Sequence, residues 1–428
     1  PEPWDMAMSF GLIMLVLGLV YRLLGPVMPV LVLFFFSYNL YANLFPGAFK
    51  GSPQGIDLLL GKTFNETEAG IYGLITGVSA KYLVYFTLLS GMIGALGLGR
   101  VVANYALALV GKHPATPGRV TGVASVFMGM FSGSGAADTQ FVAALTKPLY
   151  ERAGYERLIA AGLVATAGTI ALITPPVLGS IAFIMVEILQ IPLLKVIVMT
   201  IGPALLYLTT VLAFNEFYAR KAGLKAVAPE LGMSRRRYLL RYGFIFLPIL
   251  LIVAMLYLGY EVRTAASLAL VLFIVLTSLD PTLRPRGVGP VLEGLAEGFR
   301  TLLPIGTAVT AANLIFAMMV ISGLPSKFSQ LLQQVSGESL LLATLITAVF
   351  SLVLGMGVPP TATYVLTSAL TAPAIIALAK ENGIPESAAI FATHMFLFYY
   401  AVLADVTPPV ALSAYAASSV FGTNPLQT

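Results

Sequence analysis

The sequence predicts an all-α polytopic membrane protein with inverted structural repeats, two re-entrant helical hairpins and two broken transmembrane helices. Three observations carry this expectation. The 428 residues are 58% hydrophobic and only 10% charged, with a mean hydropathy of +0.90, whereas a soluble domain carries about 25% charged residues. Apolar runs of roughly 17 to 25 residues, long enough to span a bilayer, recur along the chain. Two of these runs contain the same phrase at their middle, Ile173-Thr174-Pro175-Pro176-Val177 and Val406-Thr407-Pro408-Pro409-Val410. Paired prolines remove a backbone donor and push the preceding residue out of the α region. A helix that breaks in hydrocarbon needs its freed carbonyls satisfied by protein, water or an ion. Matched breaks in two halves of a chain point to a transporter binding site.

Composition also excludes several chemistries. There is no cysteine, hence no disulfide, thiolate metal site or catalytic thiol. His113 and His394 are the only histidines, which argues against a histidine-based metal centre. The net charge of +5 resides in loops between apolar spans, the pattern of a cytoplasmic membrane face rather than of nucleic-acid binding. The chain opens at Pro1 with neither a methionine nor a visible signal peptide, and is expected to be a fragment.

The elements follow in order. Spans are expected at about 6–24 and 26–46, followed by a polar stretch at 47–69 with Lys50, Asp57, Lys62, Glu66 and Glu68. A long apolar segment at 70–98 leads to a basic stretch, Arg100 to Arg119. The next apolar material, about 117–150, is interrupted by a polar, glycine-rich turn, Phe131-Ser132-Gly133-Ser134-Gly135-Ala136-Ala137-Asp138-Thr139. Basic flanks on both sides give it the pattern of a re-entrant hairpin. The first broken span covers 158–190, and a span at 196–219 leads to the strongest basic loop, Arg220 to Arg241. Spans at 242–260 and 264–279, an amphipathic segment near 288–300 and a span at 301–323 come next. A second interrupted unit, about 338–379, turns at Gly355-Met356-Gly357-Val358-Pro359-Pro360-Thr361-Ala362-Thr363, and the second broken span covers 387–421.

Charge orients these segments. If the loop 220–241 is cytoplasmic, counting outward puts Arg22, both flanks of the first hairpin and Arg284 with Arg286 on that side too. The weakly charged or acid-leaning stretches 47–69, 324–337 and 380–386 fall outside, in accord with the positive-inside rule. The hairpins are therefore expected to enter from opposite faces, which defines an inverted repeat. Thr174 and Thr407 stand 233 positions apart, as do Pro192 and Pro425. Past Pro425 the chain stops, so a further C-terminal helix is expected to be missing.

The first turn offers a cation site: Ser132, Ser134 and the carbonyls of Gly133 and Gly135 meeting the break at Thr174. Hydroxyl and carbonyl oxygens suit a small hard cation, and glycine permits close approach. Helix N-termini behind the turns favour an anionic substrate group. The competing reading is a loop between short helices, or small residues serving helix packing. Asp138 and Asp405 lie at predicted membrane depth, where an ionisable residue is a functional candidate that biases a site toward sodium or protons; the alternative is structural pairing. The offset of 233 takes Asp138 to Thr371 and Asp405 back to Leu172, so the two are not repeat equivalents. Thr139 and Thr363, in the turns, are candidates for substrate binding together with Asp138 and Asp405. Tyr364, Tyr399 and Tyr400 are candidates for a substrate pocket, against ordinary packing. Asn313, Thr307 and Thr310 are candidates for substrate or ion contact, against interhelical bonding. His394 is read as a packing residue near the second hairpin and Glu187 as interfacial. An intramembrane aspartyl or serine hydrolase is the competing class, on Asp138 with Asp405, or on Ser132 or Ser134 with His394.

Several of these motifs carry a resemblance. Ser132-Gly133-Ser134 with Ala136, then Thr174-Pro175-Pro176-Val177 followed by Ile181-Ala182-Phe183-Ile184-Met185, resemble the large membrane subunit of tripartite ATP-independent periplasmic (TRAP) transporters. Pro3-Trp4-Asp5, Gly355-Met356-Gly357 before Pro359, and Asp405-Val406-Thr407-Pro408-Pro409-Val410 fit as well. The chain looks most like the fused permeases that serve TAXI-type binding proteins. The resemblance covers nearly the whole chain.

It implies an elevator-type secondary transporter, not an enzyme, in the bacterial or archaeal cytoplasmic membrane. Sodium would be the coupling ion, with no other cofactor. The cargo would be a small organic anion such as a carboxylate, delivered by a periplasmic TAXI-type substrate-binding protein. A small four-helix membrane subunit, separate or fused, would accompany the chain. The resemblance also implies scaffold helices at 1–98, transport-domain repeats at 99–195 and 301–428, and scaffold with a linking arm at 196–300. One sodium site would be formed by Ser132, Ser134 and Gly135 with Ala171, Thr174 and Pro176. The other would be formed by Gly355, Gly357 and Thr361 with Ala404, Thr407 and Val410. Gly135 stands where a second serine is usual, and Ala171 and Ala404 where glycine is usual. An uncoupled facilitator or channel for organic anions is the alternative within the same class.

Overall fold

The computed structural model describes residues 2–66, 70–228 and 231–428; Pro1 and Glu68 lie outside the described residues. Among those residues the regular elements are all helical. The chain opens with α1 (Pro3–Leu24), α2 (Val27–Leu40) and, inside the polar stretch, α3 (Ile56–Asn65). Proline at the first position of α1 forgoes a donor that would be unpaired there anyway. α4 (Leu74–Val78) passes through a π turn at Ser79–Leu83 into α5 (Val84–Ala95). Then come α6 (Leu98–Val110), α7 (Thr116–Ser132), α8 (Gly135–Ala153), α9 (Arg157–Thr169), a 3-10 turn at Ile170–Ile173 and α10 (Ser180–Leu189). α11 (Leu193–Lys221), α12 (Arg235–Tyr242), α13 (Leu247–Tyr257), α14 (Val262–Leu279) and α15 (Gly289–Ile321) follow. The chain closes with α16 (Leu324–Ser336), α17 (Leu340–Gly355), α18 (Pro360–Glu381), α19 (Glu386–Val402), a 3-10 turn at Leu403–Asp405 and α20 (Leu412–Phe421). Among the described residues, eight helical stretches are long and apolar enough to cross a bilayer, as a multi-pass membrane protein requires.

Two compact units divide the chain. The first comprises Pro1–Ala80, Glu187–Gln190 and Leu303–Val410. Within it α1 packs on α2 and α3, and α18 packs on α16, α17 and α19. Polar side chains lock these apolar faces in register. The Ser9 hydroxyl donates to the Leu60 carbonyl at 2.8 Å, and Asn39 Nδ2 donates to the Met318 carbonyl at 2.8 Å. Interhelical bonds of this kind are worth about 1 kcal/mol each in a membrane.

The second unit comprises Lys81–Val186, Ile191–Leu302 and Ala411–Thr428. Here α8 packs on α7, α9 and α20, and α13 on α14. Lys147 Nζ donates to the Val420 carbonyl at 2.8 Å, fastening α20 to α8. Gly91 of α5 lies so close to Gly294 and Gly298 that a Cβ there would overlap backbone, the close approach that small residues permit between membrane helices. At the end of α14, Asp280 accepts from the backbone N–H groups of Thr282 and Leu283 at 2.7 and 3.2 Å.

The structure revises several sequence expectations. The basic stretch beginning at Arg100 contains a 13-residue helix, α6, too short to be read as a span. The segments 288–300 and 301–323 form one 33-residue helix, α15, with Pro304 inside it. Glu187, expected at the interface, is buried at 8% exposure. Most informative is the repeat itself. Helices α6 and α16 each have 13 residues. Gly97 and Gly111 bound the first and Gly323 and Gly337 the second, all at positive φ, a constant offset of 226. The offset of 233 holds only from the breaks onward, because α18 is 22 residues against 19 for α8, and α19 is 17 against 13 for α9.

Candidate functional site

In the second unit the first hairpin meets the first break. α7 ends at Ser132 because Gly133 adopts the left-handed conformation, φ 59 and ψ 19, which only glycine enters without strain. Ser134 then caps α8 in an extended conformation, and its N–H donates to Ser132 Oγ at 3.1 Å. Asp138 follows in the first turn of α8, where the helix dipole favours a negative charge. Ser132 hydrogen-bonds its carboxyl. Asp138 is 1% exposed, and its Oδ2, like the hydroxyl of the fully buried Thr139, is buried without a protein partner. Gly135 is buried, and Ser132, Gly133 and Ser134 are half-buried.

Two close approaches hold the hairpin on the break. A Cβ on Gly129 of α7 would lie 2.6 Å from Ala171 Cα and 3.3 Å from Thr174 Cβ, and one on Gly133 would overlap the Leu178 carbonyl oxygen. Thr174 donates its hydroxyl to the Ile170 carbonyl at 2.8 Å. A hydroxyl has one proton and two lone pairs. Once that proton is committed, Thr174 Oγ1 can act only as an acceptor. The break is further tied by Leu178 N–H to the Thr174 carbonyl at 3.1 Å and Gly179 N–H to the Leu172 carbonyl at 2.8 Å. Pro176 is buried within it, and the Pro175–Pro176 bond is cis.

The first unit builds the same local arrangement from the second repeat. Gly355 of α17 packs on Ala404, 3.0 Å from a Gly355 Cβ to the Ala404 methyl. Gly129 and Gly355 are 226 apart, and Ala171 and Ala404 are 233 apart. Thr407 donates to the Leu403 carbonyl at 2.7 Å, which repeats the Thr174 geometry at the equivalent carbonyl. Pro408–Pro409 is cis. Leu178 and Ala411, equivalent by the same offset, both hold positive φ, 59 and 36, a conformation that non-glycine residues keep only where surrounding structure enforces it.

The other sequence candidates fall as follows. Thr361 and Thr363 are buried in the first turn of α18, and Thr363 Oγ1 donates to the Pro359 carbonyl at 3.2 Å. Tyr364 is fully buried, with its hydroxyl 2.8 Å from His394 Nδ1, which makes His394 a packing partner of the second hairpin. Tyr399 is half-buried and stacks on Phe398. Asp405 is buried at the end of its 3-10 turn, and Val410 is half-buried. Gly357 neighbours Val27 of α2 rather than Ala404. Asn313 is engaged elsewhere, donating to the Gly70 carbonyl and to Thr76 Oγ1 at 3.1 Å, while its Oδ1 is buried without a partner. Thr307 and Thr310 bond back to their own helix at Leu303 and Gly306.

The helix N-caps Ser134 and Pro359 correct one further expectation, since they make Thr363, not Thr371, the counterpart of Asp138. Sequence reasoning also missed Gly129 and the carbonyls of Ile170 and Leu403. A scan at a constant offset would have found Gly129, because Gly97, Gly111 and Gly129 all return 226 positions later.

Comparison with known proteins agrees with this architecture. The family described as "Tripartite ATP-independent periplasmic transporter, DctM component" matches residues 12–428. The chain is 28% identical over 345 residues to the 2,3-diketo-L-gulonate TRAP transporter large permease protein of Escherichia coli, covering 79% of this chain and 77% of that one. It is 26% identical over 376 residues to a TRAP transporter large permease of Haemophilus influenzae, covering 85% and 84%. It is also 23% identical over 341 residues to the isethionate TRAP transporter permease protein of Oleidesulfovibrio alaskensis, covering 78% of this chain and 51% of that relative. The chain therefore belongs to the DctM component family of tripartite ATP-independent periplasmic transporters, and is a transporter permease rather than an enzyme.

Proposed function

We propose that this permease imports a small organic anion, a carboxylate in the first instance, coupled to sodium and moved by an elevator mechanism in the bacterial cytoplasmic membrane. The observation that carries the proposal is the pair of acceptor-only hydroxyls. Thr174 and Thr407 each commit their proton to the carbonyl four residues back, beside a glycine–alanine approach that leaves backbone within reach. That donor set suits a hard monovalent cation that is held by oxygen lone pairs. Ser132, Gly133, Ser134, Gly135, Ala171 and Pro176 would complete the first site. Gly355, Gly357, Thr361, Ala404 and Val410 would complete the second. A bound sodium supplies a local positive charge that favours an anion beside it.

The relatives support the cargo class: 2,3-diketo-L-gulonate and isethionate, in the names of two of them, are small organic anions. We further propose that a periplasmic binding protein of the TAXI type delivers the substrate, and that a small four-helix membrane subunit, separate or fused, completes the transporter. The re-entrant course of α7–α8 and α17–α18, their opposite entry and the division into scaffold and transport segments belong to the same proposal. Its support is the loop charge and the repeat of α6–α10 by α16–α20. Uptake of labelled carboxylate into proteoliposomes, with purified binding protein outside, tests the coupling. Accumulation should require an inward sodium gradient; equal uptake in its absence would identify an uncoupled facilitator instead.

A further inference from the structure

The first unit contains a cavity of about 380 Å³ that the transport reading does not use. Phe34, Phe35, Phe45, Phe328, Phe350 and Leu370 are among the residues that line it. The only polar side chain in the lining is Tyr38, whose hydroxyl is consumed by a 2.6 Å bond to the Phe49 carbonyl. Such a wall has nothing with which to orient a small organic anion. The neighbouring outer surfaces of α2 and α17 are apolar and exposed at Val30, Leu33, Leu345, Val349 and Val353, which makes them lipid-facing in a membrane-spanning chain.

Lys327 stands beside this cavity. Lys327 Nζ donates to the Lys50 carbonyl at 3.0 Å and to Tyr38 Oη at 3.4 Å, and lies 5.9 Å from the centre of the Tyr38 ring. An ammonium has three protons, so one remains for a further acceptor. All the partners of Lys327 are neutral, and among the described residues no carboxylate pairs with it. An unpaired cation beside an apolar cavity has the chemistry of a phospholipid site: phosphate on the ammonium, acyl chain in the cavity.

We propose that this cavity holds an acyl chain of an anionic phospholipid whose phosphate pairs with Lys327. The lining comes from residues 31–49 and 324–370, which the elevator reading assigns to scaffold and transport segments respectively. A lipid bridging them would influence their relative movement; that consequence rests on the elevator reading, whereas binding itself does not.

The test therefore reads binding and not transport. The chain has a single tryptophan, Trp4, so Trp4→Phe with Phe350→Trp places one fluorophore at the cavity wall. The protein is reconstituted in phosphatidylcholine bilayers doped with either phosphatidylglycerol or phosphatidylcholine carrying brominated acyl chains. Brominated phosphatidylglycerol should quench at an about fivefold lower mole fraction, the size of effect expected from one lysine near the headgroups. Lys327→Gln should abolish that preference and Lys327→Arg should keep it. On the unsubstituted protein, native mass spectrometry should show phosphatidylglycerol retained after delipidation and lost in Lys327→Gln. Equal quenching by the two lipids, or retention that ignores Lys327, would overturn the proposal.

Discussion

In the first repeat Thr174, Val177 and Leu178 are at most 2% exposed, whereas in the second Thr407 is half-buried and Pro408 and Pro409 are exposed. The same Thr-Pro-Pro phrase, with the same hydroxyl-to-carbonyl bond, is thus buried once and partly exposed once. The hairpin tips differ as well. From Gly129 to the N-cap Ser134 is five positions, and from Gly355 to the N-cap Pro359 is four. The extra residue lets Gly133 turn through a left-handed conformation and close over Val177 and Leu178. At the second tip Gly133 has no counterpart, and Pro359 stands at the N-cap where the first tip has Ser134. Identical break chemistry thus occurs with different access in the two halves, beside turns that differ by one residue.

Substitutions at the tips should have the largest effects. Gly133→Ala combines a left-handed backbone, costing about 1–2 kcal/mol, with overpacking against the Leu178 carbonyl, about 1–3 kcal/mol. A large fall in thermal midpoint in detergent should follow; an unchanged midpoint would mean the tip does not seal the break. Next, Gly129→Ala should destabilise more than Gly355→Ala. The new methyl meets backbone at 2.6 Å in the first case, and in the second meets the Ala404 methyl at 3.0 Å and backbone no nearer than 3.4 Å. The expected gap is about 1 kcal/mol, readable in paired melts, and a reversed order would break the comparison.

Accessibility offers a sharper contrast. Because the chain has no cysteine, Thr174→Cys and Thr407→Cys can each be labelled as the sole thiol. Thr407→Cys should react with a soluble maleimide about tenfold faster or more, since a thiol must be exposed to react. Equal rates would dissolve the distinction between the buried and the partly exposed break. Asp138→Asn should leave the melt nearly unchanged and lower sodium-dependent uptake. It preserves volume while replacing one oxygen of a buried carboxyl whose Oδ2 has no protein partner.

The smallest effect lies outside the membrane, at Asp280. Burial works to raise its carboxyl, but bonds from the Thr282 hydroxyl and the backbone N–H groups of Thr282 and Leu283, with Arg241 nearby, hold it below the ordinary carboxylate range. A folded value depressed below the unfolded one contributes stability at neutral pH. That contribution is lost as pH falls below the ordinary range, near 4, and through the folded value. Asp280→Asn should therefore flatten the acid limb of the stability profile slightly, and an unaltered limb would contradict this.

Much of the architecture was legible in the chain. The two hairpin turns, both breaks and the paired threonines announce themselves, because prolines and glycines in an apolar run leave few helical solutions. The helices α6 and α16 were not legible. Thirteen residues are too few to cross a bilayer, and Arg100 made the first look like a loop. The register between hairpins was hidden for a related reason. Longer α18 and α19 shift the offset from 226 to 233, so a single offset could not align both hairpins and breaks. Carbonyl partners such as Ile170 and Leu403 have no side-chain signature at all, and only backbone geometry identifies them.

Sodium binding to the purified permease, with Thr174→Val and Thr407→Val beside the parent, tests the central claim most directly. Both substitutions keep the shape and remove the acceptor-only hydroxyl. Equilibrium binding of radiolabelled sodium should show each variant with at least about tenfold weaker affinity at one class of site, roughly 1.4 kcal/mol, and the double variant impaired at both. Unchanged sodium binding in both single variants would contradict the claim that the paired breaks hold the coupling ions.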